Sequence, residues 1–333
     1  MAGISQKKII LLDINYPNYR TEREILAPFQ VDIKHIQTNG NRKIILDSVK
    51  NADAVMVREA KIDSEIIKNM KKCKIIVRYG IGVDNIDLEA AARKKIFVAN
   101  VPNYGTEEVS DHALALLLAV SRRIVKRDKD TRKGVWGVGA DEPIYSFKGK
   151  ILGIIGFGRV GKAFYHKAKN LGFKEVLIYD PYFDNNNNYF EKVIIVDIKK
   201  LCSHSDVISL HAPLTTENFH LIDESSLSLM KKNVIIINTA RGGLIDEEAL
   251  VKYLKGKKIF GAGLDVFEKE PPDIYNPLFE LDNVVLTDHT AWYSEESLNE
   301  LQKKAAQEVK RVFSGKKSQS WVNSWEDESE TQK

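Results

Sequence analysis

The sequence predicts an α/β protein of two doubly wound parallel-sheet lobes, and three observations carry that prediction. At 333 residues the chain exceeds what one core organises, and division by a usual domain size of about 150 residues gives two domains. Short, continuously apolar runs alternate with helical stretches, the pattern of parallel strands covered on both faces by crossover helices. A long apolar helical stretch separates two such series. Two lobes leave room for a cleft.

The first series runs through Lys8–Leu12, Ala54–Val57, Ile75–Val77 and Phe97–Ala99. Ser110–Val125 follows, apolar at Ala113, Leu114, Leu116, Leu117, Leu118 and Val120, and reads as one helix suited to linking the lobes. The second series holds six strands: Ile151–Ile155, Glu175–Tyr179, Val207–Leu210, Val234–Ile237, Gly261–Asp265 and Val284–Leu286. With crossovers, six strands fit a doubly wound sheet. Glu295–Phe313 places Leu298, Leu301, Ala305, Val309, Val312 and Phe313 near helical spacing, an amphipathic helix expected to return to the first lobe. Asn185–Asn188 reads as a surface loop and Glu326–Lys333 as a solvated tail.

Composition narrows the class. Apolar residues make up 43% and charged residues 29%, an ordinary globular balance that excludes disorder of the whole chain. The 50 Lys and Arg against 46 Asp and Glu leave +4, without a long basic block, so nucleic acid is not the expected partner. Cys73 and Cys202 stand far apart in no metal-binding spacing, so no metal is expected and a reducing cytoplasm fits. The start lacks a signal-peptide core, and no apolar run approaches the ~20 residues of a membrane span, so a soluble protein is expected.

Chemistry first shows in the segment Ile151 to Phe164, where Gly156, Gly158 and Gly161 stand between an apolar strand and a helix start. The first glycine permits the tight turn, the second lets backbone approach a pyrophosphate, and the third lets helix and strand pack closely. The helix N-terminus, opening at Arg159-Val160, then faces the anion. Such a triplet also occurs in plain turns, so its neighbours matter. Asp180 ends the next strand about twenty residues on, where a carboxylate accepts from the adenosine ribose hydroxyls and repels a 2′-phosphate. NAD is therefore expected over NADP, although Asp180 also has a reading as a cap before Pro181. His211-Ala-Pro213 follows the strand 207–210 at the ligand-binding edge; Pro213 is expected to flank the adenine, and His211 is equally readable as a loop residue.

Six motifs in order resemble the D-isomer-specific 2-hydroxyacid dehydrogenases, in the branch similar to C-terminal-binding protein. They are Arg78 to Asp87, Asn100 to Ala113, the glycine turn, Asn238 to Asp246, Asp265 to Pro271, and Asp288 to Ser294. The resemblance covers nearly the whole chain. It implies a flavodoxin-like substrate domain from 1–102 with 293–333, a Rossmann NAD-binding domain from 103–292, an interdomain cleft and a homodimer. Thr239, Ala240 and Asp265 join the cofactor-binding set.

The same motifs place Arg241, Glu270 and His289 on the family's catalytic residues. Reduction of a 2-oxo acid needs a proton donor beside the carbonyl, because arriving hydride leaves negative charge on oxygen. His289 suits that role near neutral pH, Glu270 would orient its ring and favour the imidazolium, and Arg241 can fork onto the substrate carboxylate and reacting oxygen. Taken singly, the three also read as an ion-pairing arginine, a cap beside Pro271 and a loop histidine. Tyr79, Gly80, Ile81 and Gly82 resemble the family's carboxylate cradle, with Arg78 as a further contact, and Trp292 matches a tryptophan bounding the substrate pocket. Two departures stand out: Asp288 precedes the histidine where many relatives carry Pro, and Ser110-Asp111 replaces the commoner Ala-Glu.

The expected function is hydride transfer between NAD(H) and a D-2-hydroxy acid/2-oxo acid pair. The alternatives are phosphoglycerate dehydrogenase specifically, and an NAD(H)-sensing, corepressor-like scaffold. Substrate choice is expected to depend on the loops 15–19 and 136–145.

Overall fold

A computed structural model describes residues 6–137, 143–183 and 193–325. The loop expected at 185–188, the tail at 326–333 and part of the loop 136–145 lie outside them. The chain forms two compact units, Met1–Tyr104 with Ser294–Lys333, and Gly105–Tyr293.

The first unit is built on five strands, β1 (Lys7–Leu12), β2 (Val31–Ile36), β3 (Ala54–Val57), β4 (Ile75–Arg78) and β5 (Phe97–Ala99), ordered β2-β1-β3-β4-β5. Every pairing among them is parallel. Helices α1 (Arg20–Leu26), α2 (Arg42–Val49), α3 (Ser64–Asn69) and α4 (Leu88–Arg93) connect them. Asp63 and Asp87 cap α3 and α4 through their carboxylates, satisfying N–H groups that a helix start leaves over. β2 was absent from the expected series because it lies at the sheet edge, where Asp32, Lys34 and His35 break the apolar run. The helix Glu295–Phe313 forms over the expected residues behind a Ser294/Ser297 capping box and packs on α1 and β4 of this unit.

The second unit opens with α5 (Thr106–Ser121) and α6 (Ile124–Arg132), where the sequence suggested one helix over 110–125. Arg123, in the left-handed region at φ 54°, turns the chain between them. α5 buries Ala113, Leu116, Leu117 and Val120, whereas α6 buries nothing, so the apolar periodicity ends where the helix does. The rest alternates as β6 (Ile151–Ile155), α7 (Arg159–Ala168), β7 (Glu175–Tyr179), β8 (Val193–Ile195), α8 (Ile198–His204), β9 (Val207–Leu210), α9 (Glu224–Leu229), β10 (Ile235–Asn238), α10 (Glu247–Lys255), β11 (Gly261–Leu264) and β12 (Val284–Leu286). The sheet has seven parallel strands rather than six, ordered β12-β11-β10-β9-β6-β7-β8. The additional strand β8 is a three-residue edge strand with Ile194 and Ile195 exposed. Connections diverge from β6, so the crevice at the carboxyl ends of β6 and β9 is the ligand position of such a sheet.

Candidate active site

The glycine turn follows β6 directly. Gly156 has φ +84°, and a Cβ there would lie 2.5 Å from Ala212 N. A Cβ on Gly161 would lie 2.2 Å from Gly156 O, so helix α7 approaches the strand as closely as glycine permits. A Cβ on Gly158 would meet nothing within 4 Å, and no side chain caps α7, whose first residues are Arg159 and Val160. The turn thus presents open backbone at a helix N-terminus, a ready anion position.

Asp180 braces this turn. Its Oδ2 accepts from Phe157 N at 2.7 Å and its Oδ1 from Tyr182 N at 2.9 Å. His211 packs against Phe164, and its Nε2 lies 2.9 Å from Ser209 Oγ. Burial pulls the His211 pKa down to about 3, so the ring is neutral. Its Nδ1 and the hydroxyl of Thr239 are buried polar atoms without a protein partner. Both follow strands at the ligand-binding edge, and buried polar atoms ordinarily have a partner. The Pro213 carbonyl is engaged by Asn218 Nδ2 at 2.8 Å. The open Gly158 and these two orphaned atoms fit a bound dinucleotide.

Arg241, Glu270 and His289 come from three consecutive strand ends. Arg241 leaves β10 beyond Thr239-Ala240, and its Nη1 donates to Ala240 O at 2.7 Å. Its neighbour Gly242 is pressed so closely on the next segment that a Cβ would sit 1.9 Å from both C and O of Phe267. Glu270 lies beyond β11; its Oε1 accepts from Phe267 N at 3.0 Å and its Oε2 lies 2.6 Å from His289 Nδ1. Burial alone would raise the Glu270 pKa, but the bond and charge of His289, the Phe267 N–H and nearby Arg241 together hold it below its ordinary value. The carboxylate therefore stays ionised beside the imidazole.

The loop carrying His289 hangs on Asp265. This fully buried carboxylate accepts from Thr287 Oγ1 at 2.6 Å, Thr290 N at 3.0 Å and Ala291 N at 3.0 Å. Asp265 O also accepts from His289 N at 2.8 Å, fixing a residue whose φ of +57° is unusual for a side chain with a Cβ. Trp292 Nε1 donates to His289 O at 3.0 Å. The Asp288 carboxylate accepts from Thr290 Oγ1 at 3.0 Å. Asp265, expected at the cofactor, uses both carboxylate oxygens to brace the histidine loop. The bracing roles of Gly242 and Thr287 were missed; the double glycine after Arg241 was the available signal for the first.

The loop 78–82 belongs to the other unit and ends β4. Arg78 Nη1 donates to Tyr79 O at 2.9 Å and crosses over Gly80, whose φ is +143° and whose added Cβ would meet that nitrogen at 1.4 Å. Ile81 is exposed, and its carbonyl accepts from Asn100 Nδ2 at 2.7 Å. The Tyr79 side chain is a core residue, only 1% exposed, with its hydroxyl donating to buried Glu22 at 2.8 Å. Of this residue only backbone is available to a ligand.

Residues 114–291 match the family described as D-isomer specific 2-hydroxyacid dehydrogenase, NAD binding domain. The chain belongs to the D-isomer specific 2-hydroxyacid dehydrogenases. It is 40% identical over 289 residues to a glyoxylate reductase of Korarchaeum cryptofilum, a match covering 84% of this chain and 86% of that protein. It is also 40% identical over 290 residues to a D-3-phosphoglycerate dehydrogenase of Methanocaldococcus jannaschii, covering 86% of this chain and 55% of that longer protein. Among solved structures, D-lactate dehydrogenase from Aquifex aeolicus, complexed with NAD and lactic acid, superposes with a TM-score of 0.84 at 29% identity over 92% of this chain and 96% of that one. This 2-hydroxyacid dehydrogenase is accordingly an NAD-dependent oxidoreductase of CH–OH donors. No helix among the described residues is long and apolar enough to cross a membrane.

Proposed function

We propose that this dehydrogenase reduces a small 2-oxo acid of the glyoxylate or hydroxypyruvate class to the 2-hydroxy acid, the D-isomer where the product is chiral, with His289 as proton donor, Glu270 as its orienting carboxylate and Arg241 as the substrate anchor. The observation that carries the assignment is the 2.6 Å contact between Glu270 Oε2 and His289 Nδ1. It occupies one ring nitrogen and leaves Nε2 to meet the carbonyl oxygen. A nicotinamide held by the second unit would supply the hydride. Arg241 polarises the carbonyl and holds the carboxylate by charge-assisted bonds, and His289 gives its proton to the oxygen as charge develops there. Gly156, Gly158, Gly161 and the start of α7 would hold the dinucleotide's pyrophosphate, and Asp180 its adenosine ribose. Arg78 and the backbone of Gly80, Ile81 and Gly82 are assigned to the substrate carboxylate on the strength of the family resemblance.

The size of the substrate is supported by the relatives, which include glyoxylate reductases and phosphoglycerate dehydrogenases. NADH oxidation against glyoxylate, hydroxypyruvate, phosphohydroxypyruvate, pyruvate and bulkier 2-oxo acids tests it. Fastest turnover with phosphohydroxypyruvate selects the phosphoglycerate reading, and tight NADH binding without turnover on any acid selects the scaffold. His289→Ala is expected to keep NADH affinity and lower kcat by about 10²–10⁴; unchanged turnover removes His289 from the mechanism.

The protein is proposed to act in the cytoplasm as a homodimer. Ile124, Val125, Val135 and Trp136 are all exposed along one stretch at α6, Trp136 by 89%, an apolar surface suited to a second copy. Sedimentation of wild type and Trp136→Asp tests this; a monomeric wild type refutes it.

A further inference from the structure

We infer that His112 is a positioning residue for the reaction, acting on the loop of His289 through Thr287 and Asp265. It rests on the reading of His289 as proton donor. His112 lies on α5 and sits 2.9 Å from Thr287 Oγ1 by its Nε2, and 3.5 Å from Asp265 Oδ1. The direction of the chain of bonds follows from the inventory of hydrogens. Asp265 is a carboxylate and only accepts, so Thr287 spends its one hydroxyl hydrogen on Asp265 Oδ1, 2.6 Å away. The Thr287 oxygen then has only lone pairs to offer, and His112 Nε2 must carry the hydrogen between them.

Asp265 Oδ1 is shared between Thr287 Oγ1 and Thr290 N, while Oδ2 takes Ala291 N. Three residues of the segment 287–291 thus converge on one buried carboxylate, and His289 stands in the middle of them at φ +57°. A carboxylate free to rotate would release that segment. The Thr287 hydroxyl prevents the rotation, and His112, donating from a helix outside the loop, fixes the hydroxyl. The imidazole of His112 is three-quarters buried, so its bond is partly shielded from competing water.

The role is one of geometry rather than of contact with substrate. His112→Ala is expected to lower kcat for 2-oxo acid reduction about tenfold, with the dissociation constant for NADH unchanged within twofold. It is expected to raise the isotope effect from deuterated NADH, because the chemical step becomes slower. Gln at this position offers an amide N–H near the place of Nε2, so His112→Gln is expected to recover most of the lost kcat. Thr287→Val is expected to match His112→Ala, and the double variant to be no worse than Thr287→Val alone, since the residues act in series.

Wild-type kcat in His112→Ala, or a Gln variant as slow as the Ala variant, overturns the proposal. A His112→Ala variant whose NADH affinity falls in step with kcat does the same. Nitrogen NMR of the wild-type protein labelled at histidine checks it without any variant: the Nε2–H form of His112 is expected, and the Nδ1–H form overturns the proposal. The reading of His289 fails separately, if His289→Ala keeps its turnover. Loss of activity in His289→Ala alongside a fully active His112→Ala sinks this inference alone.

Discussion

Glu270 holds His289 with one oxygen and is itself held by the other: Oε2 lies 2.6 Å from His289 Nδ1, and Oε1 accepts from Phe267 N at 3.0 Å. The carboxylate is therefore a fixed reference for the ring, not a mobile counter-ion. Glu270→Gln keeps the size and an acceptor but removes the negative charge beside the His289 ring. Its kcat for reduction is expected to fall about tenfold to hundredfold at neutral pH, with NADH affinity preserved. Steady-state kinetics beside an NADH titration measure both, and undiminished kcat would show that the charge has no part in the proton transfer.

The same pair sets a pH dependence of stability. The Glu270 pKa in the folded protein lies below its ordinary 4.5, because the His289 bond, the Phe267 N–H and Arg241 outweigh the opposing effect of burial. A depressed folded value means that the contribution is present above about pH 4.5 and is lost as pH falls through the folded value. Thermal unfolding of Glu270→Gln is expected to occur at lower temperature than wild type near pH 7, and the gap to close on acidification below pH 4.5. A gap that widens instead contradicts the sign.

Asp180 carries two demands at once, since it braces Phe157 N at 2.7 Å and is assigned to the adenosine ribose. Asp180→Asn keeps a side-chain acceptor for the turn and removes the charge that repels a 2′-phosphate. The ratio of kcat/KM for NADH over NADPH is expected to fall about tenfold or more, equivalent to about 1.4 kcal/mol of discrimination. An unchanged ratio would place the determinant elsewhere.

Tyr79 gives a test that concerns the fold of the smaller unit. Its hydroxyl and Gln302 Nε2 both donate to Glu22, a residue with no exposed surface. Burial raises the Glu22 pKa, against the lowering effect of the Tyr79 and Gln302 bonds. Tyr79→Phe removes one donor from this buried group, and a loss of about 1–3 kcal/mol in denaturant unfolding is expected. A neutral result would mean that water replaces the hydroxyl.

Much of this was legible in the sequence because it depends on local pattern. Parallel strands buried on both faces produce unbroken apolar runs such as Ile235 to Ile237, and Gly156 and Gly161 of the turn have a local steric cause. The strands that escaped, β2 and β8, sit at sheet edges, where one side of the strand lacks a partner: polar residues interrupt β2, and β8 is only three residues long. The site was legible as residue types through a family resemblance, but not as geometry. Thr287, Asp265 and His112 are 22 to 175 positions apart along the chain, and only folding shows that they share one carboxylate. Tyr79 illustrates the converse: the family resemblance placed it with Gly80 at the substrate, while its side chain lies in the core with its hydroxyl on Glu22.

Gly242 gives the most direct test of how the anchor and the acid are kept in register. A methyl group there would sit 1.9 Å from Phe267 C and O and 2.3 Å from Glu268 N, all backbone atoms that no rotamer change can move aside. The two segments must part, one carrying Arg241 and the other Glu270 two residues beyond Glu268. Gly242→Ala is expected to cost about 1–3 kcal/mol of stability through overpacking, and to lower kcat/KM by more than that loss of folded protein explains. Gly256→Ala is the control: its nearest atom would be Lys252 O at 3.1 Å, and it forms the C-cap of α10. Denaturant unfolding and kinetics on both variants decide the matter, since equal kinetic losses would show that the Gly242 contact has no special bearing on the active residues.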